Sequence, residues 1–183
     1  DIMQSVPEPK ETSDIELLRK SLMNSSKSIS FLDLGAGSNK NGIDPSSLNN
    51  HSQSCQVNQI IKKSVSAKYG RLLFAMARFF KPAVTLEMGT SFGISTAYLA
   101  KANPGGTVIT IEGNRESAEI ASENFRQLGL ANISVVSGNF DEKLPEVLNK
   151  IPQIDLAFFD GNHRCDPTMN YFNMCLDKAY PGS

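Results

Sequence analysis

A strand, a glycine-bounded turn, a helix and a second strand follow one another in residues 85–112, and this unit constrains the fold more than any other part of the chain. Gly89 and Gly93 bound the turn, and the second strand ends on an acidic residue, Glu112. Glycines let the backbone turn sharply and approach a ligand closely, and the helix N-terminus that follows presents free N–H groups. An acid at the end of the second strand is where a nucleoside-binding βαβ unit holds ribose hydroxyls. The unit therefore predicts a site for a nucleoside-containing ligand.

The same alternation of strands and helices continues to the end of the chain. Hydrophobic periodicity predicts strands at 83–88, 107–112, 132–137 and 153–159, and helices at 93–102, 115–128, 141–149 and 167–179. Strict alternation predicts an α/β fold: an open parallel sheet with right-handed crossovers and helices on both faces. The last strand is almost wholly apolar, which predicts burial on both faces between two neighbouring strands.

Two helices carry clear predictions about which side faces the core. The helix at 67–80 is predicted to bury an apolar stripe made of Tyr69, Leu72, Leu73, Met76, Phe79 and Phe80. The helix at 167–179 is predicted to begin at an Asp166 N-cap, with Pro167 in its first position. Its buried side is predicted to contain Phe172, Cys175, Leu176 and Ala179.

Residues 180–183 read Tyr-Pro-Gly-Ser, a turn signal that ordinarily introduces another strand. An apolar strand left at the edge of a sheet is an aggregation hazard. We therefore expect the last strands of the sheet to be missing from this chain. Either the chain is a fragment, or a second copy supplies the missing strand in a homodimer through the exposed sheet edge.

Composition narrows the classes of partner. The chain has 183 residues, 40% of them hydrophobic, and a net charge of −1, so we expect a globular protein with no nucleic-acid or membrane partner. No apolar run is long enough to span a bilayer. The three cysteines are an odd number without CxxC spacing, which argues against a disulfide framework and favours a cytoplasmic protein. The two histidines cannot form a multi-histidine metal site.

The N-terminal third gives weaker signals. Residues 1–12 predict a loose lead-in, and a helix is predicted over about 13–23. The run FLDLGAGS at 31–38 looks like a nucleotide loop in isolation, but the Asn- and Ser-rich sequence behind it offers no helix N-terminus. We interpret it as an apolar anchor beside a flexible connector. Residues 1–56 are therefore predicted to be a helix plus connector, and residues 57–183 a nucleoside-binding domain.

Four motifs in residues 57–183 carry a family resemblance. They are KYGRLL followed by LEMGTSFGIST at 68–73 and 86–96, the acid Glu112, SGNFDEKLP at 137–145, and FFDGNH at 158–163. Together they resemble the class I S-adenosylmethionine-dependent methyltransferases, and most closely the catechol-type small-molecule O-methyltransferases. The resemblance implies a Rossmann-like fold, S-adenosylmethionine as cofactor, and in-line transfer of a methyl group to a hydroxyl of a small-molecule acceptor.

The resemblance also implies which residues bind the cofactor. The implied set is Glu87, Gly89, Thr90, Ser91, Gly93, Ser95, Glu112, Gly113, Asn139, Phe140, Asp141 and Asp160. The residues up to Ser95 would line the methionine end, with Ser95 on its carboxylate. Glu112 would accept both ribose hydroxyls, and the three residues at 139–141 would frame the adenine. Family members often have Asp where Asn139 stands, so the partner of the adenine amino group is left open.

The motif at 158–163 would carry the chemistry. In metal-dependent relatives an Asp at this position binds a divalent cation, and a Lys three residues later takes the proton of the substrate hydroxyl. Here Asp160 is present, and His163 stands at the Lys position. Imidazole ordinarily titrates at about pH 6.5, which suits a general base. The resemblance therefore implies catalytic roles for Asp160 and His163, with Asp160 as a ligand for a cation such as magnesium; the family's other metal ligands would lie beyond residue 183.

Other interpretations stay open. Glu87, Glu112 and Asp160 could cap local N–H groups or face solvent, and His163 could be a surface residue. An NAD-dependent oxidoreductase also places a ribose acid after a glycine loop, although Ser91 stands where a dinucleotide fingerprint needs glycine. A methyltransferase-like module that binds without catalysis is the other alternative.

Overall fold

The computed structural model describes residues 2–31 and 53–181. Its α-helices are α1 Ser13–Met23, α2 Val57–Ile60, α3 Ala67–Phe80, α4 Ile94–Ala102, α5 Arg115–Gln127, α6 Phe140–Lys150 and α7 Cys165–Leu176. Its strands are β1 Ser28–Phe31, β2 Gln53–Gln56, β3 Val84–Met88, β4 Thr107–Glu112, β5 Ile133–Ser137 and β6 Leu156–Phe159. Short 3-10 turns occupy Ile2–Ser5, Pro9–Thr12 and Ile61–Lys63. The predicted elements from residue 83 onward are all present, with ends shifted by a few residues.

The main sheet has four parallel strands in the order β5-β4-β3-β6. The central strand β3 pairs Leu86 with Ile109 of β4 on one side and with Ala157 of β6 on the other. Helices cover both faces, so the predicted α/β architecture is confirmed. One face packs on α6 and α7 through Met88, Ile111 and neighbouring side chains. The opposite face packs on α3, α4 and α5.

The burial predicted for α3 is confirmed for Leu73 and wrong for four of the six residues. Tyr69, Leu72, Phe79 and Phe80 are each about half exposed, whereas the helix buries the side that contains Gly70, Leu73, Phe74, Ala75 and Ala77. The reason is a close helix contact: a Cβ on Gly70 would lie 2.3 Å from the Tyr98 ring of α4. Because glycine allows that approach, α3 turns the side that contains Gly70 toward the core and leaves several large apolar side chains exposed.

The start and the buried side predicted for α7 are also wrong. The helix begins at Cys165 with Arg164 as N-cap, so Pro167 lies third in the helix rather than first. A proline is tolerated there because the first four N–H groups of a helix have no intrahelical partner. The residues that this helix buries are Tyr171 and Cys175. Of the four residues predicted to be buried only Cys175 is, and Phe172, Leu176 and Ala179 are exposed.

Strand β6 is shorter and less enclosed than predicted. It pairs only with β3 among the described strands, and its residues are half-buried or exposed. Burial between two neighbouring strands is therefore not what the structure shows. Phe159 instead makes an edge-to-face contact with Phe172 of α7, with ring centroids 6.2 Å apart.

The N-terminal segment differs from the sequence prediction in two respects. Strands β1 and β2 form an antiparallel pair that the sequence did not indicate, with Phe31 opposite Gln53. The residues predicted to be a loose lead-in form 3-10 turns, and Glu11 pairs with Arg78 of α3 at 2.5 Å. Residues 32–38 of the FLDLGAGS run, and the predicted connector up to residue 52, lie outside the described residues, and the end of that connector forms β2 instead.

Helix α1 shares a core with the sheet domain. Its Ile15 and Leu22 belong to the same cluster of buried side chains as Phe92 and Tyr98. The Tyr98 hydroxyl donates to Glu16 at 2.7 Å, and burial raises the pKa of this tyrosine to about 12. The division at residue 56 stays a prediction about domain organisation. Within the described ranges no helix has the length and apolar character needed to cross a bilayer.

Candidate active site at the carboxyl edge of the sheet

The carboxyl ends of the four parallel strands bring the predicted site residues together. Four loops meet there: the glycine turn after β3, residues 113–114 after β4, residues 138–139 after β5, and residues 160–164 after β6. The predicted cofactor-binding residues lie in these loops, in the last residues of β3 and β4, or in the first turns of α4 and α6. In open parallel sheets this edge is where ligands bind.

The glycine turn is held by backbone conformations that favour glycine. Gly89 has φ +102° and Gly93 has φ +84°, and Ser91 between them also has a positive φ of 48°. A Cβ on Gly89 would lie 2.5 Å from the carbonyl oxygen of Asp160, so the turn lies directly against the loop after β6. Gly93 is also the N-cap of α4, which places Ser95 in the first turn, where backbone N–H groups lack intrahelical partners.

Glu112 is tied to the glycine turn. Its carboxylate accepts the Ser91 N–H at 2.7 Å and the Asn114 N–H at 2.8 Å, one on each oxygen. Burial raises the pKa of Glu112, and the N–H groups of Asn114, Ser91 and Gly113 oppose that rise. The residue is only half-buried, and a carboxylate oxygen can accept more than one hydrogen bond, so a ligand's hydroxyls could also donate to it.

Glu87 lies beneath the turn and is sealed from solvent, with 0% of its surface exposed. Its Oε2 accepts hydrogen bonds from the hydroxyls of Thr96 and Thr110, the latter at 2.7 Å. Thr110 also contacts the Thr90 hydroxyl at 2.6 Å, which extends the network into the turn. Burial raises the pKa of Glu87, and the hydroxyls of Ser95, Thr96 and Thr110 lower it. The carboxyl therefore links β3, β4, α4 and the turn, and its predicted contact with the cofactor stays a prediction.

The loop after β5 presents Asn139, Phe140 and Asp141 at the start of α6. Asn139 caps the helix and accepts the Asp141 N–H on its side-chain oxygen at 3.1 Å. The Phe140 ring lies against the loop after β6, since a Cβ on Gly161 would lie 2.7 Å from it. These contacts bring the predicted adenine-side residues next to the predicted catalytic loop.

Asp160 and His163 are both exposed on the loop after β6. The Asp160 N–H donates to the Met88 carbonyl at 2.8 Å, which fixes the start of the loop on β3. Partial desolvation raises the pKa of Asp160, and the nearby charge of His163 lowers it. Within residues 2–31 and 53–181, no three His, Cys, Asp or Glu side chains are grouped to hold a metal ion. Asp160 is the one residue predicted to bind a cation, and its role as a metal ligand stays a prediction.

The match with known families decides the class of the chain. Residues 86–183 match a family described as a methyltransferase domain. The chain belongs to this family. The resemblance to class I S-adenosylmethionine-dependent methyltransferases that the motifs predicted is thereby confirmed.

Relatives and solved structures agree with this assignment. A catechol O-methyltransferase of Niastella koreensis is 30% identical over 66% of this chain and 55% of its own length. One from Mycobacterium tuberculosis is 36% identical over 54% of this chain and 45% of its own length. The chain thus spans about half the length of these relatives.

Two solved structures show the likeness in three dimensions. The O-methyltransferase TomG from Streptomyces achromogenes, solved in complex with SAM, superposes with a TM-score of 0.58 at 33% identity, over 64% of this chain and 53% of its own. An O-methyltransferase from Bacillus cereus, solved with SAH, gives a TM-score of 0.63 over 96% of this chain and 64% of its own, at 21% identity. This second likeness concerns the fold.

Several residues of the site were missed from the sequence. Thr96 and Thr110 hold Glu87, and Tyr171 and Asn162 join the loops after β5 and β6. The position of Thr96 directly after Ser95, in the first turn of α4, was a usable signal. The contact partners of Tyr171 gave none, because they lie on other elements.

Proposed function

We propose that this chain forms the cofactor-binding part of an S-adenosylmethionine-dependent methyltransferase that transfers a methyl group to a hydroxyl of a small molecule. One observation carries the proposal beyond family membership. A half-buried carboxylate, Glu112, is held by backbone N–H groups at the mouth of a glycine turn. A preorganised acceptor in that position suits the paired hydroxyls of a ribose.

The residues at the edge of the sheet fit this cofactor. At Gly89 the backbone comes so close to the loop after β6 that a side chain is excluded, which keeps the turn narrow. The first turn of α4 offers Ser95 and unpaired N–H groups for a carboxylate. The residues that would hold the cofactor are those the sequence predicted: Glu87, Gly89, Thr90, Ser91, Gly93, Ser95, Glu112, Gly113, Asn139, Phe140, Asp141 and Asp160.

When bound, the cofactor supplies a methyl group already activated by its sulfonium, so the protein has to align the reactants and manage one proton. We propose that His163 accepts the proton of the acceptor hydroxyl as its oxygen forms the new bond to carbon. Asp160 lies on the same loop, close enough for its charge to interact with that of His163. A divalent cation at Asp160 would supply a Lewis acid, but a full ligand set would need oxygen donors from outside the described residues.

The two alternatives are less well supported. A dinucleotide-binding oxidoreductase does not agree with the family match, and the residue at position 91 is serine rather than glycine. A binding module without catalysis would retain the cofactor site and lose the acceptor chemistry, so turnover would separate it from the proposal. The names of the two bacterial relatives make catechol the first acceptor to test.

Partners and location follow from weaker observations. We propose a small-molecule acceptor and no nucleic-acid partner, given the net charge of −1. We also propose a homodimer through the edge of β6 that pairs with no other described strand, where Phe172 and Leu176 expose apolar surface nearby. Sedimentation velocity over a range of concentrations tests this.

Cys55, Cys165 and Cys175 form no disulfide, which supports a reducing compartment such as the cytoplasm.

Calorimetric titration with S-adenosylhomocysteine tests the cofactor assignment. The unsubstituted chain is expected to bind it, and Glu112→Ala is expected to weaken binding by about 1–3 kcal/mol, the scale of hydrogen bonds to a charged group. Glu119→Ala, which removes an exposed carboxylate paired with Arg115 on the outside of α5, is the matched control and should bind normally. NADH titrated in parallel should not bind. Binding of NADH alone, or equal binding by Glu112→Ala, would contradict the assignment.

A further inference from the structure

A buried tyrosine hydroxyl bridges two loops of the candidate site. Tyr171 lies on α7 with 3% of its surface exposed. Its hydroxyl donates to Oδ1 of Asp141 at 2.7 Å and accepts from Nδ2 of Asn162 at 3.1 Å. Asp141 lies at the start of α6, just after the loop that follows β5, and Asn162 lies in the loop after β6. The Tyr171 side chain therefore connects these two loops.

The loop that carries Asn162 is held in a defined shape. Asn162 has a positive φ of 46°, a conformation that asparagine tolerates better than most residues. Its carbonyl accepts the Arg164 N–H at 2.7 Å and the Thr168 hydroxyl at 2.9 Å, which turns the chain into α7. His163 lies inside this turn. The conformation of Asn162 therefore determines the backbone position of His163.

The bridge depends on the hydroxyl as well as on the ring. The Tyr171 ring makes an edge-to-face contact with Phe140, with centroids 5.8 Å apart. A buried hydroxyl without partners is unfavourable, so tyrosine is suited to this position because both of its partners are present. Burial and the bond to Asp141 raise the pKa of Tyr171, which keeps the hydroxyl protonated as a donor. Oδ1 of Asn162 is buried without a hydrogen-bond partner in the described part of the chain, so Nδ2 alone ties this amide to Tyr171.

We propose that Tyr171 is a positioning residue that transmits the placement of the loop after β5 to the loop carrying Asp160 and His163. The inference rests on the proposed function, in which the first loop frames the adenine and the second acts on the acceptor. Occupation of the adenine side would restrain Asp141, and the bridge would pass that restraint through Tyr171 to Asn162. Cofactor binding would thereby order the catalytic loop before the acceptor arrives.

Hydrogen exchange with and without S-adenosylhomocysteine tests the inference on the chain as it stands. Tyr171→Phe keeps the ring contact with Phe140 and removes the bridge. In the unsubstituted chain the ligand is expected to slow amide exchange both in the glycine turn and in residues 162–168. In Tyr171→Phe the slowing in the turn should persist, and the slowing at 162–168 should fall by about threefold to tenfold, the range for one hydrogen bond.

Two further variants serve as controls for this experiment. Tyr180→Phe removes a similar phenol–carboxylate bond, to Asp155 at the opposite end of β6, and should behave like the unsubstituted chain. Asn162→Gly breaks the bridge from the loop side and suits the positive φ, so it serves if Tyr171→Phe does not fold. Equal ligand-induced slowing at 162–168 in the bridge variants and the unsubstituted chain would overturn the inference alone. Failure of the unsubstituted chain to bind would overturn the proposed function and this inference with it.

Discussion

Gly89→Ala is expected to lower the free energy of unfolding by about 3–5 kcal/mol and to abolish binding of S-adenosylhomocysteine. The new Cβ would meet the backbone carbonyl of Asp160 at 2.5 Å, and the residue would have to keep a φ of +102°. A backbone neighbour cannot step aside as a flexible side chain can, so the glycine turn and the loop after β6 must separate. Chemical denaturation and calorimetry measure the two effects.

Gly129→Ala separates conformational strain from steric conflict. Gly129 ends α5 with a φ of +66°, but a Cβ there meets nothing within 4 Å. We expect it to cost about 1–2 kcal/mol from the left-handed backbone alone and to leave ligand binding unchanged. If Gly89→Ala were no more harmful than Gly129→Ala, the close approach between the turn and Asp160 would not matter to the site.

Glu87→Ala is expected to lower the free energy of unfolding by about 2–4 kcal/mol, because it leaves the buried hydroxyls of Thr96 and Thr110 without their shared acceptor. Glu87→Gln retains an acceptor oxygen of the same shape and should cost less than about 1 kcal/mol at neutral pH. Urea unfolding of both variants at fixed pH measures the difference. Equal losses in the two variants would show that the network does not depend on the acceptor.

The pH dependence of the free energy of unfolding gives the same experiment a second readout. Because burial raises the native pKa of Glu87, the native state binds this proton more tightly than the unfolded state does. Its contribution to stability is therefore complete below the unfolded pKa, near 4.3, and is lost as pH rises toward the raised native pKa. Glu87→Gln removes that decline, so its stability should fall less steeply above about pH 4.5 than that of the unsubstituted chain. An unchanged slope would mean that Glu87 titrates normally.

The βαβ unit and its acid could be predicted because their signals are local. Gly89 and Gly93 occupy positive φ values that glycine favours, and Glu112 comes at the end of a strand whose apolar pattern is unambiguous. Parallel pairing then brings the strand ends to one edge without further information. The position of the site therefore follows from the chain order.

The failed predictions concern choices made by packing partners. In α3 the apolar residues surround much of the helix, and the close contact between Gly70 and Tyr98 decides which side is buried. In α7 the packing against α6 and the sheet buries Tyr171 and Cys175. Neither partner is near in sequence, so periodicity could not select the correct face. The same limit explains why the Tyr171 bridge and the hydroxyls around Glu87 were missed.

The hydrogen bond between Glu16 and Tyr98 has a consequence for the order of events during synthesis. Its partners are 82 residues apart, so α1 leaves the ribosome long before α4 exists. At about 5–20 residues per second the delay is roughly 4–16 s. Throughout that interval the apolar side of α1, with Ile15 and Leu22, has no partner in α4. Until α4 is made, that side of α1 can pack only against residues of the same cluster that are synthesised earlier, such as Ile29 and Val57.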